Sequence, residues 1–437
     1  MRRLRESHFV ARLAALTGGS AAGAVIALGA SPLISRLYSL QEFGSLGVFA
    51  TTLTLLSVVA ALRFDLAVPA AVDEREAALL LVVSLVTIGA TTIGCFAFIA
   101  VGAWQWVPSL RASLPGNLVW WLPIGMLATG SYAALAGWMV RRRDYVTLGT
   151  TKVTQSLLAV VAQVGLGVAK AGATGLVVGQ VAGSSAGLWR LARRTLQIDH
   201  ELFHGITGRA LTLTARTYRR FPLLSAPAVL LDSLNAALPL LFVAAVYGAT
   251  HAGLLTMVQR ILVAPLSLLT VNLGQIFFGD LAVLRRTEPR AMLPLFYRRL
   301  AQIAILGLVL LIVMVLVVPV LLPWMFGTRW TEAGTYFVLL TPMLFANFVS
   351  APFGFVIDVL RRQDLHLLRD LIRTLTMGTA IQFAISTHAS WHNALFWLDL
   401  AGVLNGATYL GVSWYALLHN DRATVDPSSK VIAVQLA

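Results

Sequence analysis

Five ionisable side chains stand where the surrounding sequence is apolar: Arg63, Asp65, Lys152, Asp232 and Arg260. A charge in such a setting is costly and is kept where it faces a cavity, a partner or a ligand. Uncharged hydrogen-bonding residues accompany them, notably Asn235 and Gln259, with Gln155, Gln163, Gln180, Asn272, Gln275 and Asn347 in similar surroundings. Guanidinium and ammonium groups attract phosphates, while amides bond to hydroxyls or to one another. The set suits holding a polar anion. Catalytic patterns are missing or misplaced. Gly183-Ser184-Ser185-Ala186-Gly187 has the spacing of a nucleophile elbow, which needs a strand-to-helix turn. Here it lies within an apolar run, and Gly179, Gly183 and Gly187 fall on one helix face, as close packing requires. His388 and His392 lack a third ligand nearby, and Cys95 is the single cysteine. Neither a Walker lysine motif nor a dinucleotide glycine fingerprint occurs, so no cofactor and no metal is expected.

The elements that carry these residues follow from composition. Of 437 residues, 58% are hydrophobic and only 12% charged, where a soluble domain uses about a quarter to cover its surface. The chain is expected to be an all-α polytopic membrane protein, with twelve apolar runs at 13–34, 44–68, 78–104, 117–139, 147–169, 172–189, 221–246, 252–278, 300–323, 334–357, 371–388 and 394–418. Membrane barrels need short alternating strands, and no such alternation recurs. A net charge of +14 raises nucleic acid as a partner. The charges sit instead in short loops between the apolar runs, so a lipid bilayer is the expected partner. The first run is long and lacks a convincing cleavage site, which predicts a retained first helix.

Lys and Arg set the expected orientation. With the N-terminus inside, 26 of the 33 fall in cytoplasmic segments, four in outer loops (Arg36, Arg111, Lys170, Arg329) and three within spans, namely Arg63, Lys152 and Arg260. Trp104, Trp106, Trp120 and Trp121 mark an outer interfacial belt. Both termini are therefore expected in the cytoplasm. A basic stretch, 191–220, divides an N-terminal six-helix bundle (1–190) from a C-terminal one (221–418), with a tail over 419–437. Phe43-Gly44 and Ala252-Gly253 open the second helix of each half, each preceded by a Tyr, Tyr38 or Tyr247. This faint repeat suits two parallel bundles around a central cavity. Asp232 lies about 16 Å into its span and Arg260 about 12 Å into the next from the other side. The two can pair structurally, or both can line the cavity. Near inner span ends, Arg63 either snorkels to the interface with Asp65 as its neighbour or forms with Lys152 a cationic mouth for an anionic substrate.

Several of these stretches form a recognisable series. Tyr38-Ser39-Leu40-Gln41-Glu42-Phe43-Gly44, followed by Leu62-Arg63-Phe64-Asp65, resembles the opening of Wzx-type polysaccharide flippases. Tyr218-Arg219-Arg220-Phe221-Pro222, then Pro227, Asp232, Asn235, Pro239, Tyr247-Gly248, Gln259-Arg260 and Pro265, is similar to the second half of that family. The resemblance implies the multidrug/oligosaccharidyl-lipid/polysaccharide exporter fold. It also implies a substrate of the undecaprenyl-diphosphate-oligosaccharide class, an inner-membrane location and company with other polysaccharide-assembly membrane proteins. Asp65 stands where the family pattern leads one to expect Glu. The rival functions are a multidrug or cation exporter of the same fold, which favours acidic cavity residues, and a membrane polysaccharide polymerase or ligase. Such an enzyme carries a large outer loop with catalytic Arg or His, and the outer loops here are short.

Overall fold

The computed structural model describes residues 2–360 and 362–419, so the expected tail from 420 onward and Arg361 lie outside it. Seventeen α-helices occur among the described residues, and no strand does. In chain order they are α1 (Arg2–Leu37), α2 (Leu40–Ala60), α3 (Glu74–Ala100), α4 (Pro108–Ser113), α5 (Trp121–Arg142), α6 (Tyr145–Val168), α7 (Ala173–Ser185), α8 (Leu188–Asp199) and α9 (Gly208–Thr217). They continue with α10 (Ala226–Val258), α11 (Ala264–Thr287), α12 (Met292–Phe326), α13 (Thr331–Leu339), α14 (Thr341–Ser350), α15 (Phe355–Leu360), α16 (Gln363–Ser386) and α17 (Trp391–Leu418). Eight helical stretches among the described residues are long and apolar enough to cross a membrane: Gly18–Leu37, Leu40–Ala60, Glu74–Ala100, Tyr145–Val168, Phe221–Ile261, Pro289–Phe326, Thr341–Leu360 and Trp391–Leu418. The chain is a multi-pass helical membrane protein. The other expected spans are helical too, but α7 has only 13 residues, and α5, α11 and α16 are less apolar along their length.

By its contacts the chain separates into two compact units, Met1–Met257 with Pro323–Trp330, and Val258–Leu322 with Thr331–Ala437. In the first, glycines let helices approach backbone to backbone. Side chains added at Gly179, Gly183 and Gly187 would run into Gln163, Ala159 and Thr151 of α6 respectively. The glycines step by four and their contacts on α6 by multiples of four, so α7 lies along α6 on its small-residue face, as expected for packing in lipid. The formal nucleophile elbow is thus part of a helix contact. Gly187 itself has φ +87° and turns the chain out of α7 into α8.

The two stretches that resemble each other in sequence meet. A side chain at Gly44 would strike the backbone of Ala249, and one at Gly253 would strike the backbone of Leu40 and Gly44. Gly248 (φ 83°, ψ 180°) breaks α10 just before this contact, where the sequence predicts a loop. That region of the backbone map is open essentially only to glycine.

In the second unit, Phe277, Phe296 and Phe353 pack edge to face at 4.8 to 4.9 Å between α11, α12 and the 3-10 turn Ala351–Gly354. Along α12, Ile305, Leu308, Val309, Ile312, Val313, Leu316 and Val320 are exposed, a run of aliphatic surface suited to lipid. The tenth expected span, 334–357, is not one continuous helix: α13 stops at Leu339 and α14 restarts at Thr341-Pro342. Pro342 has no backbone N–H to continue the ladder.

Candidate functional site

The motif around Tyr38 proves to be a corner. The Tyr38 hydroxyl donates to the backbone carbonyl of Gln163 at 2.6 Å. Burial first, then the nearby Glu42, pushes its phenol up to about 12. Ser39 and Glu42 form a reciprocal capping box that starts α2. Phe43 meets Trp330 edge to face at 5.0 Å. Each residue has a structural task in joining α1 to α2, and Gly44 supplies the close approach already described. The same contact settles Gln163: it is buried, and its amide donates to the Leu176 carbonyl at 3.3 Å, an interhelical bond.

Arg63 and Asp65 are expected inside a span over 44–68. The α2 helix instead ends at Ala60, and both residues lie in the segment beyond it. Leu62 (φ 47°) and Arg63 (φ 66°) are consecutive left-handed residues, which cannot continue a right-handed helix. Two such residues store about 1–3 kcal/mol each, and strain of that kind gathers at functional sites. Phe64 is buried, and the Asp65 carbonyl faces Gly137 of α5. The Arg63 Nε is buried without a hydrogen-bond partner among the described residues.

Lys152, on α6, holds its ammonium 4.8 Å from the ring centre of Tyr132 on α5, and the Tyr132 hydroxyl bonds with Thr151 at 2.8 Å. An aromatic face thus stands in for a carboxylate beside this charge. Asp232 and Asn235 lie one turn apart on α10, Asn235 fully buried and Asp232 partly so. Gln259 and Arg260 belong to the second unit and sit in a π-helical turn, Gln259–Val263. A second π-helical turn, Phe221–Ser225, leads into α10 and contains Pro222. Such widened turns frequently mark functional places in helices. Within the first unit the structure brings Lys152 to α5 on one side and the Arg63–Asp65 segment to α5 at Gly137.

Two polar clusters escaped the sequence reading. At one end of α5, Asp199 accepts from the Trp138 indole at 3.0 Å and from Arg142 at 3.0 and 2.5 Å, and Arg142 also reaches Glu74 at 2.9 Å. Trp138 is fully buried, with Phe203 against it at 5.5 Å. Arg141 donates to the carbonyls of Ala71 at 2.7 Å and Val68 at 3.4 Å. The expected cytoplasmic linker is therefore built in part of ordered amphipathic helices, α8 and α9. Asp199, the first acid after a run of arginines, was the available signal. The second cluster is on α17, where buried Asp399 accepts from the Met343 backbone N–H at 2.8 Å and caps the start of α14.

Helical spans interrupted by glycine, proline and π-helical turns, with charges at span depth, are the build of a polytopic membrane protein whose helices pack around one another. The chain belongs to the polysaccharide biosynthesis protein family, which its residues 33–335 match. Among solved structures it is similar to the lipid II flippase MurJ in an inward closed conformation, with a TM-score of 0.68 at 10% identity, covering 94% of this chain and 91% of that one. It is also similar to an inward-facing multidrug resistance MATE family transporter of the MOP superfamily, with a TM-score of 0.62 at 12% identity, covering 94% and 96%. The bent form of the Vibrio cholerae MATE transporter VcmN gives 0.55 at 14% identity, covering 95% and 98%. No curated protein matches it in sequence. The all-helical, multi-pass fold expected from the sequence is the one found, and it is the fold these solved structures share.

Proposed function

We propose that this protein is a flippase that moves a lipid-linked oligosaccharide, of the undecaprenyl-diphosphate class, across the inner membrane for surface polysaccharide assembly. The observation that carries the reading is the polysaccharide biosynthesis family match over residues 33–335. In this account the two six-helix bundles, divided by 191–220, rock around a central cavity, with both termini in the cytoplasm. The lipid tail stays in the bilayer while the diphosphate and sugars pass through the cavity. Arg63, Lys152 and Arg260 attract the diphosphate, because phosphate is anionic whatever sugar it carries. Asn235 and Gln259 bond to sugar hydroxyls, and Asp65 and Asp232 keep neighbouring cations oriented. Arg260 has no ion pair among the described residues, which supports a role toward an external anion.

The likeness to MATE transporters favours a second reading, a multidrug or cation exporter. Reconstitution separates the two. Purified protein in vesicles carries either an undecaprenyl-diphosphate-linked oligosaccharide or a cationic dye, and appearance of each on the opposite face is followed. Transfer of the sugar lipid without transport of the dye is expected. Dye transport without sugar transfer would move the assignment to the exporter.

A further inference from the structure

The helix α8 carries a surface that transport does not use. Leu191, Thr195 and Asp199 recur every four residues and are buried against the first unit. At about 100° per residue, Trp189 and Leu196 share the next strip of the helix. Both are exposed, Trp189 by 77%. Arg193, Arg190 and Arg194 occupy the remaining arc and are exposed as well. An apolar strip bordered by arginines is the pattern of a helix lying in a membrane interface.

Its place in the unit agrees. Asp199 ties one end of α8 to Arg142 at the end of α5. Asp144, which caps the start of α6, reaches Arg194 at 3.3 Å. Because α6 is long and apolar enough to span, its first turn marks the edge of the apolar layer. Between that turn and α8 lies a cleft of about 650 Å³, lined by Thr147, Trp189, Arg190, Arg193, Arg194 and the Asp144 carboxylate. Arg194 neutralises Asp144, while Arg190 and Arg193 have no acidic partner among the described residues.

We propose that this cleft binds the phosphate of an anionic phospholipid headgroup, held by Arg190 and Arg193 with Trp189 and Leu196 seated in the headgroup layer. Anionic leaflets attract such basic segments, and indole rings favour that depth. The site is a lipid anchor separate from the transported substrate.

The test uses the full-length protein in detergent, with bound lipid counted by native mass spectrometry. Phosphatidylglycerol adducts should survive conditions that strip phosphatidylcholine. Arg190→Gln with Arg193→Gln should lower phosphatidylglycerol binding by more than about tenfold. The corresponding lysine pair should keep most of it, which shows that the loss reflects charge and not folding. Glutamines at Arg209 and Arg216, in the same basic segment, should leave binding unchanged. Equal retention of the two lipids, or full binding by the Arg190/Arg193 glutamine pair, would overturn the site. Displacement of the lipid by inorganic phosphate would overturn the headgroup assignment, since a free anion has no use for Trp189.

Discussion

At the scale of single residues, the charges divide by what surrounds them. Arg142 is answered by Asp199 and Glu74, and Arg299 by Asp280, so removing either arginine strands an acid. Arg260 has no such partner among the described residues, and its replacement should act on the substrate rather than on the fold. Arg260→Ala is expected to remove nearly all polymer export in a deletion strain while membrane abundance stays normal. Arg260→Lys should retain part of it, as a point charge without the bidentate geometry of a guanidinium. Wild-type export from the alanine variant would exclude Arg260 from substrate binding. Asp144 makes a pH prediction. Burial raises its pKa, but hydrogen bonds from Thr147 and Arg194 outweigh that and hold the carboxyl below its ordinary value. A depressed acid stabilises the fold above its unfolded pKa and loses that contribution as pH falls through the folded value. Asp144→Ala should therefore cost about 1 kcal/mol at neutral pH, as lost helix caps do. Thermal unfolding of both proteins in detergent should show the gap closing as the solution is acidified. A gap that is constant with pH would contradict this role.

The elements show how far the sequence could be read. The all-helical build and the glycine face of α7 were legible, because lipid leaves the backbone few alternatives and small residues report close packing, but of twelve expected spans eight among the described residues are long and apolar enough to cross a membrane. The ends were less so. Hydropathy carried the second span on to 68, whereas left-handed Leu62 and Arg63 stop α2 earlier, and no apolar average registers a backbone sign change. The Tyr38–Gly44 motif was legible as a family mark but not as a corner, since its meaning lies in Gln163, more than a hundred residues away. The order of α8 and α9 was hidden in the same way, by tertiary partners of Asp199 and Trp138 that polarity alone does not reveal. The Gly44–Gly253 crossing yields a direct test. Gly253→Leu places bulk on the backbone of Leu40 and Gly44 and should destabilise by about 1–3 kcal/mol or more, read as loss of monodisperse protein in detergent. Gly279→Leu, where nothing lies within 4 Å, should be tolerated. Equal behaviour of the two would show that the crossing is not tight.

At the scale of the whole molecule, a multi-pass fold shared with solved transporters joins a polysaccharide family match and cations at Lys152 and Arg260 within helices, with Arg63 just beyond the end of α2. In the proposed flippase, the work is to replace water around a diphosphate and sugars while the lipid tail stays in hydrocarbon, where unassisted passage of those groups is prohibitive. Interrupted helices suit the motion: Gly248 breaks α10, and π-helical turns stand at 221–225 and 259–263. The most direct measurement of the central claim is the sidedness of lipid-linked oligosaccharide in cells with and without this gene. Deletion should make the undecaprenyl-diphosphate-linked unit accumulate on the cytoplasmic face. The wild-type gene should clear it, and a variant with Arg63, Lys152 and Arg260 all neutralised should not, though present in the membrane at normal abundance. If deletion leaves the amount and sidedness of every lipid-linked oligosaccharide unchanged, the protein does not flip them.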